Sequence, residues 1–310
     1  MKRSFFLFLL TVLAAPLWAS PLGTSARTAI PRDVQQIISV DYRSLKDSPS
    51  AMALKQRLLP ENLKQFETSL KGIGISPEND LDQLSFVTFR AQKAGLRMIG
   101  LAQGNFPTKK ILAKMKVKKI KPLKLRTNQI WPMGGGMEMA FLDDSTLLFG
   151  EDAALKTALD ARDGEAEAVS DNVQINDLIS SVDSGAVWSV LDQQGTQTMM
   201  LSALGDAAKL ADYEMVKKRL LGSHYTMDFG STVDFNLDVL TSDSVTASAL
   251  SSLVKAGMMY RKMTGNPVEK TALQDVTTDS DGSNFRVHFR SDEKKFQSLI
   301  NTEMFAAMTK

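Results

Sequence analysis

The sequence predicts an α+β protein of two similar halves, each reading strand, helices, hairpin, helix, hairpin, helix, with antiparallel sheets and helices packed on them. Three observations carry this expectation. Short apolar runs bounded by Gly, Asn and Asp alternate with segments of helical periodicity. Their order repeats at an offset of roughly 140 to 150 residues, the mark of a duplicated unit. The hydrophobic content, 43% of 310 residues, suits an ordinary globular core.

The N-terminus has the layout of a secretory leader. Lys2 and Arg3 precede an apolar run over residues 5–15, and a small-residue exit follows at Ala19-Ser20. The run is too short to span a bilayer. The expected organisation is a signal peptide over 1–19, with Ala26 as an alternative exit, and a polar linker over 20–32. An α+β half follows over 33–164 and a second over 165–310, with the boundary near residues 164–184. The expected location is periplasmic or secreted. The chain has no cysteine, which excludes disulfides and attachment of lipid to an N-terminal cysteine. Stability must then come from burial.

In the first half, Ile37-Ile38-Ser39-Val40 reads as a buried strand, and Ser48-Pro49 opens a helix. Leu63, Phe66 and Leu70 mark one face of a second helix that Gly72 can end. Strands are expected over 85–89 and 96–101, then a short helix from Thr108 carrying Ile111, Leu112 and Met115. A strand over 123–130, a hairpin around Asp143-Asp144 and a helix over 152–163 complete it. The second half gives a strand over 186–191, helical segments over 197–221 closed by Gly222, and a hairpin around Gly230. A long helix capped at Asp243 or Ser244 follows. Strands over 273–277 and 284–289 meet across Asp281-Gly282, and Ser291 caps the last helix.

Residues 74–82 (GISPENDLD), Gly104-Asn105-Phe106, and the stretch from Leu142-Asp143 to Gly150-Glu151 resemble a pattern in uncharacterised exported bacterial proteins with duplicated α+β halves. The resemblance implies export and this fold class. It implies no activity, so no residue role follows from it.

Catalytic chemistry is poorly supplied. There is no cysteine nucleophile, no Gly-x-Ser-x-Gly elbow and no His-Glu-x-x-His. The two histidines, His224 and His288, fall on expected strands, where packing or rim roles are commoner than catalysis. Met133, Met137 and Met139 around Gly134-Gly135-Gly136 fit core filling better than copper binding. No cofactor and no metal are expected.

Charge is the one informative asymmetry. Without Lys2 and Arg3 the chain is neutral, yet residues 83–137 contain no Asp or Glu and twelve Lys and Arg. Nine of these, Lys109, Lys110, Lys114, Lys116, Lys118, Lys119, Lys121, Lys124 and Arg126, lie within 109–126. Lys114, Lys116 and Lys118 alternate with Met115 and Val117, the pattern of an extended segment with one basic face. Such a cluster can guard a sheet edge, be neutralised by the acidic remainder of the chain, or dock on an anionic partner. The partner would be an anionic lipid, a polyanionic glycan or an acidic protein. Nucleic acid is disfavoured, because the segment lacks interleaved Phe or Tyr for stacking.

The expected function is therefore that of an exported, non-enzymatic binding or scaffolding protein of the cell envelope. Two alternatives stand beside it: an envelope hydrolase using carboxylates not identifiable from spacing, and a carrier of a small ligand or lipid. A hydrolase should gather acidic residues with His224 or His288 in one cleft. A carrier should hold a large apolar cavity. A scaffold should leave the lysines on an open face.

Overall fold

The computed structural model describes residues 22–301, except 47, 59–60, 92–94, 183–184, 206–207 and 209–212 and the side chains of 55–65. The expected leader lies outside the described residues, as does Lys93.

The strands are β1 (Val34–Asp41), β2 (Leu81–Ala91), β3 (Gly95–Gly104), β4 (Leu123–Leu125), β5 (Asn128–Gly134), β6 (Met137–Phe141), β7 (Thr146–Gly150), β8 (Val187–Leu191), β9 (Leu220–Phe229), β10 (Thr232–Thr241), β11 (Val276–Asp281) and β12 (Asn284–Asp292). All twelve join one sheet in the order β11-β12-β10-β9-β8-β1-β2-β3-β7-β6-β5-β4. The two halves thus share a sheet, with β1 and β8 paired antiparallel at the seam. Outward from that seam the order is β1-β2-β3-β7-β6 on one side and β8-β9-β10-β12-β11 on the other. Each side places two hairpins in the same arrangement, and only the first half adds β5 and β4 beyond them. Common descent of the halves stays a proposal.

Strand alternation assigns each side chain to one of two faces. One face carries Leu84, Ala102, Leu147, Phe149 and Met139 in the first half and Val233, Val239, Phe285 and Phe289 in the second. The helices Glu61–Ile73 and Thr108–Val117 cover the former set. Gln193–Leu204, Ser244–Thr264 and Glu293–Ile300 cover the latter. The opposite face carries Ile37, Val87, Leu101, Leu148, Trp188 and Val190 under the helices Thr24–Thr28, Asp152–Arg162 and Val173–Val182. That core runs across the seam, so the halves are packed together as well as hydrogen-bonded.

Several local expectations are corrected. Residues read as polar linker include the helix Thr24–Thr28, and Leu22, Ala26, Ala29 and Ile30 are buried in the core. The single strand expected over 123–130 is a hairpin, β4 and β5, because the chain reverses at Arg126-Thr127. The second long helix ends at Gly74 rather than Gly72. Gly74 has φ +94°, and Ile75 N–H reaches back to the Leu70 carbonyl at 3.0 Å. This is a Schellman ending, with Leu70 and Ile75 both buried as its apolar contact. Gly222 lies inside β9, not at a helix end. The strand expected over 273–277 starts only at Val276, because residues 273–275 turn out of the helix Pro267–Ala272, which an Asn266–Glu269 capping box opens. Asp292, not Ser291, caps the last helix, accepting from Lys295 N–H at 2.9 Å.

Candidate functional site

The lysine-rich segment folds as a helix, Thr108–Val117, followed by a short loop and the edge hairpin β4–β5. The expectation of an extended segment over 114–118 is overturned. Ile111 and Met115, one helical turn apart, are both buried against Phe66 and Leu70 of the neighbouring helix. That anchoring stripe fixes the phase of the helix. At 100° per residue, Lys109, Lys110, Lys114 and Lys116 fall on the remaining arc, and all four are exposed. Val117 stands among them at 82% exposure.

The helix ends in a second Schellman turn. Ile120 N–H donates to the Met115 carbonyl at 3.0 Å, and Lys119 N–H to the Lys116 carbonyl at 3.0 Å. Lys119 takes the left-handed position, φ 57°, where glycine is the usual residue. Arg126, at the β4–β5 reversal, has φ 54°. Among the described residues these are the only non-glycine positions with positive φ. Both are cations of this segment. The left-handed conformation costs an L residue about 1–2 kcal/mol, so local backbone preference does not explain either choice.

On β4, Leu123 and Leu125 face the same way as Ile130 and Asn128, and Leu125 packs against the core of that face. Lys124 therefore points to the other face, the one on which the lysine helix lies. All eight lysines from Lys109 to Lys124 are exposed, and among the described residues none is ion-paired with a carboxylate. Arg126 differs. Its guanidinium bonds Asp160 at 2.8 Å and Asp163 at 2.5 Å, at the end of the helix on the opposite face. Those carboxylates raise its pKa, the Asp163 hydrogen bond foremost. The structure thus leaves eight of the nine predicted residues exposed and pairs Arg126 with Asp160 and Asp163.

Repulsion within the cluster is modest. Two ammonium groups about 8 Å apart in water repel by about 0.5 kcal/mol before screening. The cations Lys114 and Lys116 in the last helical turn also meet the negative end of the helix dipole. The surface can therefore stay charged and open.

The histidines lie elsewhere. On the opposite face, β9, β10, β12 and β11 present polar groups: His224, Asp234, Asp238, Asp279, Arg286, His288 and Arg290, each half-buried or exposed. His288 Nε2 is 2.9 Å from Asp234 Oδ1. Burial lowers the pKa of His224, with the nearby Asp238 opposing it. These groups spread along a sheet surface instead of converging in a cleft. Two surface depressions, one beside Thr24, Arg27 and Asp177 and one beside Arg162, Glu165 and Asp171, include neither histidine and none of the lysines. Burial foremost, then Asp152, raises the pKa of Glu138, while Lys156 holds Asp152 low. That carboxyl pair sits at the start of the helix Asp152–Arg162, remote in sequence from both histidines. Met133 and Met139 are buried in the apolar core.

No family model matches the chain, and no curated protein matches it. Among solved structures, the chain is similar to crystal form I of TP0453, at 6% identity and a TM-score of 0.47. That alignment covers 91% of this chain and 96% of the other. Crystal form IV of TP0453 gives 7% identity and a TM-score of 0.45, covering 92% and 97%. Likeness at this level assigns neither family nor activity.

Proposed function

We propose that this is an exported, non-enzymatic binding or scaffolding protein of the cell envelope, periplasmic or secreted, whose lysine surface contacts a polyanionic partner. One observation carries the reading: the eight lysines from Lys109 to Lys124, close together in the chain, are all exposed, and among the described residues none is ion-paired with a carboxylate. Guarding of a sheet edge accounts only for the lysines near β4. Lys109, Lys110, Lys114 and Lys116 stand on a helix and not on a strand. The left-handed Lys119 adds support, since a charge is kept where glycine would be less strained. The leader-like N-terminus supports export.

Binding to heparin, a soluble polyanion, tests the reading. Affinity should fall steeply between about 50 mM and about 500 mM salt, where the screening length shrinks several-fold. Replacing Lys116, Lys118, Lys119 and Lys121 with Ser should leave the fold intact. At roughly 1 kcal/mol per cation near an anionic surface, it should weaken binding by about 10² to 10³. Wild-type affinity in that variant would remove the lysine surface from consideration.

A further inference from the structure

The helix Ser244–Thr264 carries two apolar stripes. Thr246, Ala247, Leu250, Ser251 and Leu253 are buried and hold it to the sheet. Beyond Leu253 no residue of the helix is buried. There a second stripe appears at Ala256, Met259, Tyr260 and Met263, the i, i+3, i+4, i+7 spacing of one helical face. It faces solvent: Met259 is 67% exposed, Tyr260 45% and Met263 77%. Lys255 and Lys262 fall together on one flank of this stripe, and Arg261 lies on the other side of the helix. All three cations are exposed and none is ion-paired among the described residues. From residue 244 to 268 the chain has no Asp or Glu.

A core-facing stripe needs no second one opposite it, and an exposed apolar row on a surface helix marks a contact surface. Its chemistry selects the contact. Long flexible methionines, a tyrosine with its polar tip, flanking lysines and no acid are the composition of a helix that lies in a lipid headgroup layer. This helix packs on the same face of the sheet as the lysine helix Thr108–Val117.

We infer that the C-terminal half of the helix Ser244–Thr264 docks on an anionic phospholipid bilayer, inserting Met259, Tyr260 and Met263 among the acyl chains while Lys255 and Lys262 meet the headgroups. This surface is separate from the lysine segment, and it would deepen the reading above by naming a bilayer as the polyanion.

The experiment uses the full chain with vesicles of phosphatidylcholine containing about 30% phosphatidylglycerol, against pure phosphatidylcholine, with heparin in parallel. Met259→Ser combined with Met263→Ser should lower partitioning onto anionic vesicles by at least about tenfold, as two exposed methionines lose their lipid burial. Heparin binding should be unchanged. Tyr260→Trp should shift its emission to the blue on anionic vesicles and not on neutral ones. Wild-type partitioning of the double variant, or no shift from Tyr260→Trp, would overturn the inference. So would concentration-dependent dimerisation abolished by the double variant, which would assign the stripe to a second copy of the chain. Loss of vesicle binding by the methionine variant with heparin binding kept, and loss of heparin binding by the four-lysine variant, separate the two surfaces.

Discussion

Replacing Gly100 with alanine tests the packing that carries the lysine helix. Gly100 lies on β3 opposite Phe86 on one side and Phe149 on the other. A Cβ there would stand 1.8, 2.2 and 2.5 Å from three atoms of the Phe149 ring. Restoring ordinary contact at 3.4 Å requires the ring to retreat by about 1.6 Å. It has little room, because Phe66 stacks on it at a centroid distance of 3.7 Å and 13°. Phe86 also meets it edge-on at 6.2 Å. Phe66, Ile111 and Met115 share one cluster, so the disturbance reaches the lysine helix. Overpacking of this kind costs about 1–3 kcal/mol. Exchanging a strand glycine for alanine recovers about 0.5–1 kcal/mol of backbone entropy. The steric loss dominates, and a net destabilisation of about 1–2 kcal/mol is expected. Urea unfolding followed by far-UV circular dichroism and tryptophan fluorescence should show a lower midpoint with an unchanged slope. Adding Phe149→Leu should recover part of the loss, a coupling that only neighbours show. A midpoint equal to or above wild type would refute the claim that Gly100 is the floor of this aromatic stack.

Three further outcomes follow from other sites. Lys119→Gly should raise stability by about 0.5–1 kcal/mol by relieving the left-handed position, while weakening heparin binding; a loss of stability would contradict the assigned turn. Ser39→Ala should cost about 1–3 kcal/mol in the urea midpoint, because Ser39 Oγ is 2.8 Å from Ser85 Oγ and accepts from Gln83 Nε2 at 2.9 Å in the core. Burial depresses the pKa of His224 in the folded chain, so its contribution is whole above the unfolded value of 6.5 and is lost as pH falls from there through the lower folded value. His224→Gln should therefore flatten the drop in stability between about pH 7.5 and about pH 5.5, and an unaltered drop would exclude His224 as its source.

Much of the fold was legible because its strands are strongly patterned. Asp281-Gly282 marked the β11–β12 reversal, with Gly282 at φ 56° as such a turn requires. Asp243 announced the long helix, and its carboxylate does accept from Thr246 N–H at 2.8 Å. The helix from Thr108 carrying Ile111 and Met115 is legible in the sequence, but its last turn, residues 114–118, reads there as extended. Five residues of alternation are too few to separate a strand from a helix whose apolar stripe is only Ile111 and Met115. The β4–β5 reversal was hidden because neither Arg126 nor Thr127 is a usual turn residue, and the ion pairs of Arg126 with Asp160 and Asp163 bridge residues over thirty positions apart. The stripe Ala256, Met259, Tyr260 and Met263 has plain helical spacing in the sequence. Spacing alone assigns such a stripe to the core, and only the fold shows that a different face of the helix is buried.

Which cations the chain neutralises internally bears on what the remaining ones do. Among the described residues, the arginines that reach carboxylates include Arg32, Arg43, Arg90, Arg97, Arg126, Arg219, Arg286 and Arg290. Most of these pairs tie segments distant in sequence, the work for which a planar, forked guanidinium is suited. The eight lysines of residues 109–124 make no such ties among the described residues. Acidic groups are not lacking, since Asp160 and Asp163 lie against Arg126 at the end of the same segment. A chain that stabilised itself by neutralising this region would set further carboxylates beside the helix Thr108–Val117. Instead Asp160 and Asp163 hold the hairpin from the opposite face and leave the lysine helix open. Ammonium groups are strongly hydrated and mobile on their stems, so they hold little fixed geometry within a fold. They suit an extended anionic surface with many equivalent contacts. The contrast between these paired arginines and the unpaired lysines of 109–124 favours an external polyanion over a merely solvated face.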